Sequence, residues 1–180
     1  MKRLREKTLL VKIRTDKDSQ AFAELYDLYI EKIYRFVAFK VSNRTEVEDL
    51  VSEIFLKTWN YLINKETGTV QNFSGLVYKI ARTKIIDHYR DKSRIKETSI
   101  EQIGDVGEES KEVIRIDLQT DMDNLLKNIK KLKQEYQDVV ILKYIEELST
   151  NEISKIMEKS RANVRVTLHR ALKLLKEMSN

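Results

Sequence analysis

From Asp18 onward the apolar positions fall at Phe22, Leu25, Tyr26, Tyr29, Ile33, Phe36 and Val37. Spacing of i, i+3, i+4, i+7 lines one face of a helix, whereas a strand would alternate every second residue. Asp18 or Ser19 stands where a side-chain oxygen can accept the first free amides. A second helix is predicted from Thr45, with Glu48 three residues later completing a capping box. Its buried side would carry Val47, Leu50, Val51, Ile54, Phe55 and Trp59. The run "NKETGTVQNFSG" breaks the period, and Ser74 can cap a third helix through "LVYKIARTKIIDHYRDKSR" with Leu76, Val77, Ile80 and Ile85 inward. A shorter helix over Leu4 to Ile13 precedes them, and together these elements predict a helical bundle over residues 1–96.

From Glu97 to Asn124 the periodicity fades. Glu97, Glu101, Asp105, Glu108, Glu109, Glu112, Asp117, Asp121 and Asp123 face only Lys111 and Arg115, and Gly104 and Gly107 interrupt the stretch. It reads as an acidic linker over 97–124. Fully extended, such a segment spans at most roughly 90 Å. Helical spacing resumes with Leu125, Ile129, Leu132, Val139, Val140, Leu142 and Tyr144. Ser149 and Glu152 form another capping box and open a short helix, "TNEISKIM"; three residues later a second helix begins. Two helices joined by so short a turn fit a helix-turn-helix within 125–180.

Composition supports the helical reading: among 180 residues there is no Pro and there are four Gly, which disfavours folds built on many tight turns. The absence of Cys excludes disulfides and thiolate metal sites and suits the cytoplasm. No apolar run approaches the ~20 residues of a membrane span. The basic start "MKRLREKTLLVKIRTDKDS" lacks the apolar stretch and cleavage site of a signal peptide.

Net charge is +5, but its distribution says more than its size. In "SRANVRVTLHRALKLLK" Arg161, Arg165, Arg170, Lys173 and Lys176 meet no carboxylate. At about 100° per residue Val164, Leu168, Ala171 and Leu175 share the inner side. Ala162, Val166, His169, Arg170 and Lys173 share the outer one, with Arg165 at its edge. A valine among cations suits a thymine methyl beside guanine edges and phosphates. Ser160 caps the helix and directs its first amides toward a phosphate. Glu158 and Lys159 occupy turn positions where many such units carry Gly and an apolar residue.

Three stretches occur in the order and spacing of bacterial sigma factors of the sigma-70 family: "EVEDLVSEIFLKTWNYL", "NFSGLVYKIARTKIIDHYRDKSR" and "LKQEYQDVVILKYIEELSTNEISKIMEKSRANVRVTLHRAL". The chain's size resembles the extracytoplasmic-function (ECF) group, which has only σ2 and σ4 domains. The resemblance runs from Asp18 to Lys176 apart from the linker. It implies an all-α protein of two small helical domains, a σ2-like bundle and a σ4-like helix-turn-helix domain, joined by a flexible acidic linker. The implied partners are RNA polymerase core, at its β′ clamp and β flap, and promoter DNA, with an anti-sigma factor as a further candidate.

The same resemblance implies roles for particular residues. Asp49, Ser52, Glu53 and Lys57 would dock on the coiled coil of the β′ clamp. Lys79, Arg82, Thr83, Asp87 and Arg90 would meet the −10 element, within a basic stretch that also holds Lys84, Lys92 and Arg94. The loop Asn64 to Phe73 is the candidate pocket for an unstacked base, and Tyr78 and Tyr89 are candidates for stacking. Ser160, Arg161, Arg165, Val166, His169, Arg170 and Lys173 would lie at the −35 element. The family often has Gln at Ser52, Trp at Leu76, Asn at Thr83 and Arg at Thr167. The acidic linker resembles the segment that threads toward the polymerase active site and RNA exit channel.

A dimeric DNA-binding regulator would account for the C-terminal half and leave the two N-terminal motifs without a task. An enzyme is not expected. His88 and His169 fall in different domains, and neither a thiol, a Gly-rich phosphate loop nor HExxH is present. No metal or cofactor is expected either.

Overall fold

A computed structural model describes residues 2–64, 68–70, 72–98 and 120–179. Among the described residues the structure is helical, without strands, and the chain divides into two compact units. The first holds α1 (Lys2–Asp16), α2 (Ser19–Ala38), α3 (Arg44–Ile63) and α4 (Phe73–Thr98). The second holds α5 (Thr120–Lys131), α6 (Gln134–Val140), a π-helical turn (Ile141–Ile145), α7 (Thr150–Ile156) and α8 (Arg161–Ser179). Most of the stretch 97–124 lies outside the described residues, but Thr120 to Asn124 already belong to α5 rather than to a linker.

In the first unit Ala21, Leu25, Tyr29, Ile33, Phe36 and Val37 of α2 are buried against Val47, Leu50, Val51, Ile54 and Phe55 of α3 and Val77, Ile80, Ala81 and Ile85 of α4. Each fully buried Val, Leu, Ile or Phe among them contributes ~1.5–3 kcal/mol. Aromatic edges fill the irregular gaps: Phe22 meets Trp59 at 5.1 Å and Tyr29 meets Phe73 at 5.0 Å between ring centroids. The chain turns from α1 to α2 at Lys17, whose φ of 52° is left-handed, and Asp18 then accepts the Ala21 amide at 3.0 Å.

Two helix starts differ from the sequence reading. Asn43, not Thr45, caps α3 by accepting the Glu46 amide at 3.0 Å, and Glu48 pairs with Arg44 instead. Asn72, not Ser74, caps α4 through the Gly75 amide at 3.0 Å. In both cases an Asn just upstream offers the same oxygen as Ser or Thr, with comparable preference for the cap. Glu6 of α1 supplies a further acceptor there, taking the Phe73 amide at 2.7 Å and the Tyr29 hydroxyl at 3.2 Å. One carboxylate thus ties α1, α2 and the start of α4.

The second unit buries Ile129, Leu132, Val139, Val140, Ile141, Leu142, Ile153, Ile156, Met157, Val164, Ala171 and Leu175. The Gln137 side-chain Nε2 closes α5 by donating to the carbonyls of Lys130 and Leu132. Of the apolar residues at helical spacing here, Leu125 and Tyr144 are exposed. The π turn shifts the register by one residue, carrying Tyr144 outward while Leu142 stays buried.

Candidate nucleic-acid and polymerase interfaces

The α7–α8 pair is built as a helix-turn-helix. The Ser149–Glu152 capping box opens α7: the Ser149 amide donates to Glu152 Oε2 at 3.0 Å and the Glu152 amide to Ser149 Oγ at 3.3 Å. Glu158 adopts a left-handed φ of 54°, at a cost of about 1 kcal/mol where Gly would incur none. The Lys159 amide then reaches back to the Ser154 carbonyl at 3.0 Å, closing the end of α7. Ser160 Oγ accepts the Asn163 amide at 3.2 Å, so the expected cap opens α8.

Along α8, Val164, Thr167, Ala171 and Leu175 are buried and Leu168 is half-buried. Ser160, Arg161, Arg165, Val166, His169, Arg170 and Lys173 are all exposed. Val166 is 47% exposed, with Arg165 and Arg170 on the same outward arc. Lys173 of this face lies 3.9 Å from Glu177 one turn on. Thr167 is the position that periodicity left out of the core. It is only 7% exposed, and its hydroxyl donates to Glu135 of α6 at 3.3 Å.

On α3, Asp49, Ser52, Glu53 and Lys57 are exposed and fall on one side of the helix. Ser52 turns its hydroxyl back to the Glu48 carbonyl at 2.9 Å. Glu53 is paired with Lys84 of α4 at 2.5 Å. Leu56, which sequence reasoning did not single out, sits in the middle of this side and is 61% exposed. The signal that could have found it is its spacing: an apolar residue three or four positions from Ser52 and Glu53 shares their side of the helix.

On α4, Lys79, Thr83 and Arg90 are exposed, and Arg82 and Asp87 are half-buried. Arg90 lies 3.8 Å from Asp87. Two cations of the basic stretch turn toward α3 instead: Lys84 to Glu53, and Lys92 to Glu46 at 2.8 Å. His88 Nε2 also approaches Glu46, at 3.1 Å, so this histidine serves an inter-helix contact rather than an open surface. The Lys92 hydrogen bond and the charges of Lys92 and His88 hold the Glu46 carboxyl below its usual range, outweighing its burial. Tyr78 does not stack on a ligand. It is 1% exposed and meets Phe36 edge-on at 5.4 Å. Tyr89 is 42% exposed, donates its hydroxyl to the Lys40 carbonyl, and has its pKa raised by burial. The loop 64–73 lies partly outside the described residues; within it Arg14 reaches the Gly68 carbonyl at 3.1 Å. No group of three or more His, Asp or Glu among the described residues is placed to hold a metal. No helix among them is long and apolar enough to cross a membrane.

A bundle followed by a helix-turn-helix unit with a cationic outer face defines a nucleic-acid-binding class. Comparison with known proteins narrows it. Residues 25–95 match the family model of sigma-70 region 2, and residues 122–175 match that of sigma-70 region 4. The ECF RNA polymerase sigma factor BldN of Streptomyces coelicolor is 27% identical over 88% of this chain and 60% of its own length. The ECF RNA polymerase sigma factor SigW of Bacillus subtilis is 29% identical over 89% of each. Among solved structures, the sigma factor RpoE in complex with the anti-sigma factor NepR, from Bartonella quintana, shares the fold with a TM-score of 0.67. That likeness has 21% identity over 87% of this chain and 95% of that one. The chain therefore belongs to the sigma-70 family, in its ECF group of RNA polymerase sigma factors.

Proposed function

We propose that this chain binds RNA polymerase core and directs promoter-specific initiation by reading −10 and −35 elements, without itself catalysing a reaction. The observation that carries this reading is the pairing, in one chain and in family order, of a region 2 match with a region 4 match that ends in the exposed cationic face of α8. The bundle of α1 to α4 forms the domain that meets the β′ clamp and the −10 element, the stretch between α4 and α5 the tether, and the unit from α5 onward the domain that reads −35 and meets the β flap. Asp49, Ser52, Glu53 and Lys57 present a mixed-charge side of α3 to the clamp, with Leu56 as its apolar centre. Lys79, Arg82, Thr83, Asp87 and Arg90 follow the separated −10 strand. Arg165, Val166, His169 and Arg170 enter the major groove, where Arg can bridge guanine edges and Val can meet a thymine methyl. Ser160, Arg161 and Lys173 hold the phosphates on either side.

Two small readers on a tether bind a bipartite site well only when something fixes their separation, and core polymerase supplies that. The protein works in the cytoplasm, where polymerase is, and an anti-sigma factor that covers these faces would silence it. Promoter binding measured with and without purified core tests the reading. Specific affinity is expected only with core; equal nanomolar affinity in both cases overturns it.

A further inference from the structure

We infer that Glu135 of α6 is a positioning residue for base reading: it sets the rotation of α8 and thereby the −35 preference. The inference rests on the proposal that α8 lies in the major groove. One oxygen of Glu135, Oε1, receives the Lys159 ammonium at 2.5 Å and the Thr167 hydroxyl at 3.3 Å. Those two donors come from the turn and from the inner side of α8, so a single carboxylate joins α6, the turn and the reading helix. Lys159 occupies the turn position where an apolar residue is commonly packed; here the ammonium reaches Glu135, leaving its side chain 31% exposed.

The geometry makes rotation the sensitive variable. Val164, Ala171 and Leu175 are buried and fix the depth of α8, but their apolar contacts carry no directional preference of their own. Thr167 alone among the buried positions of α8 is polar, and its bond to a neighbouring helix is directional. With side chains reaching about 5–6 Å from the helix axis, a 20° turn moves their tips by about 2 Å. A bidentate guanine contact confined to about 2.7–3.2 Å does not survive that displacement, whereas a flexible lysine on phosphate does. Loss of the Glu135 contacts should therefore change which bases are preferred more than how strongly DNA is held.

The test is transcription by core polymerase with the full chain on promoters whose −35 bases are randomised. The variants are Thr167→Val, Glu135→Ala and Glu135→Gln, each confirmed as folded by circular dichroism. Thr167→Val removes the directional bond while keeping the apolar packing, so folding is not at stake. Thr167→Val and Glu135→Ala are expected to shift the ratio between the best and competing −35 sequences by about two- to tenfold, the range of one net hydrogen bond. Glu135→Gln, which retains an acceptor oxygen, should stay near the parent, and the salt dependence should not change in any variant. Activity that falls equally on all sequences, with ratios preserved, overturns the inference and leaves Glu135 a structural support. So does Glu135→Gln behaving like Glu135→Ala. Arg170→Ala is run alongside: if it too preserves every ratio, the placement of α8 has failed and the positioning role falls with it.

Discussion

The Glu53 carboxylate of α3 holds the Lys84 ammonium of α4 at 2.5 Å. A residue proposed for the polymerase face and a cation from the basic stretch near the −10 face thus satisfy each other in the free chain. The pair is partly exposed, so its contribution to stability is about 0–1 kcal/mol.

That pairing separates two charge reversals that would otherwise look alike. Asp49→Lys should abolish core binding with an unchanged melting temperature, because an exposed reversal acts mainly on a partner. Glu53→Lys should weaken core binding too, but it also sets a cation against Lys84 and should lower the melting temperature slightly. Core pull-down alongside thermal melts distinguishes them, and full core affinity in Asp49→Lys would refute the clamp assignment.

Leu56 offers an uncharged test of the same face. It is 61% exposed, so Leu56→Glu should leave the fold intact. An apolar anchor at the centre of an interface typically contributes at least about 1 kcal/mol. Titration of core against labelled protein should therefore show more than fivefold weaker binding; unchanged affinity removes Leu56 from the contact.

The helical faces were legible in the sequence because side chains such as Leu25, Ile33, Val164 and Leu175 repeat at the helix period and little else can satisfy them. Exposure was legible too along α8, where Val166 and Arg170 stand opposite Val164 and Ala171. What one-dimensional spacing could not show was partnership between helices. Lys84, His88 and Lys92 look like any cationic face until α3 brings Glu53 and Glu46 to them. Thr167 is ambiguous by type, and only Glu135 gives its buried hydroxyl a partner. Tyr78 and Tyr144 have similar chemistry and opposite burial, decided by the edge of Phe36 in one case and a π turn in the other.

The acid limb of stability should report Glu46. Its carboxyl titrates below the ordinary value of 4.5 in the folded chain, chiefly through the Lys92 hydrogen bond. A depressed carboxyl pKa stabilises the fold above the unfolded value, and the gain is lost as pH falls through the folded one. Glu46→Gln should therefore flatten the fall in melting temperature below about pH 4.5 and lower stability at neutral pH, where the Lys92 and His88 contacts to the carboxylate are lost. Identical acid limbs in parent and variant would show that the α3–α4 contact carries no such dependence.

On α8, substitutions along one exposed face should differ in kind. Arg170→Ala should cost about 1–3 kcal/mol and relax preference at particular base pairs if the guanidinium is bidentate to guanine. Val166→Ser should weaken a thymine preference at one position and leave the salt dependence unaltered, since no charge is lost. Lys173 is exposed and only loosely paired with Glu177 at 3.9 Å, so on DNA it can exchange that partner for a phosphate. Lys173→Ala should weaken all sequences alike and reduce the salt slope by about one ion. Val164 lies on the buried side, and Val164→Asp should unfold the domain by placing a carboxylate where nothing compensates it. Binding of core-bound variants to randomised −35 duplexes at several salt concentrations separates these outcomes. Base preferences that stay constant across Arg170→Ala and Val166→Ser would reduce α8 to a generic cationic surface, because sequence would then be read elsewhere.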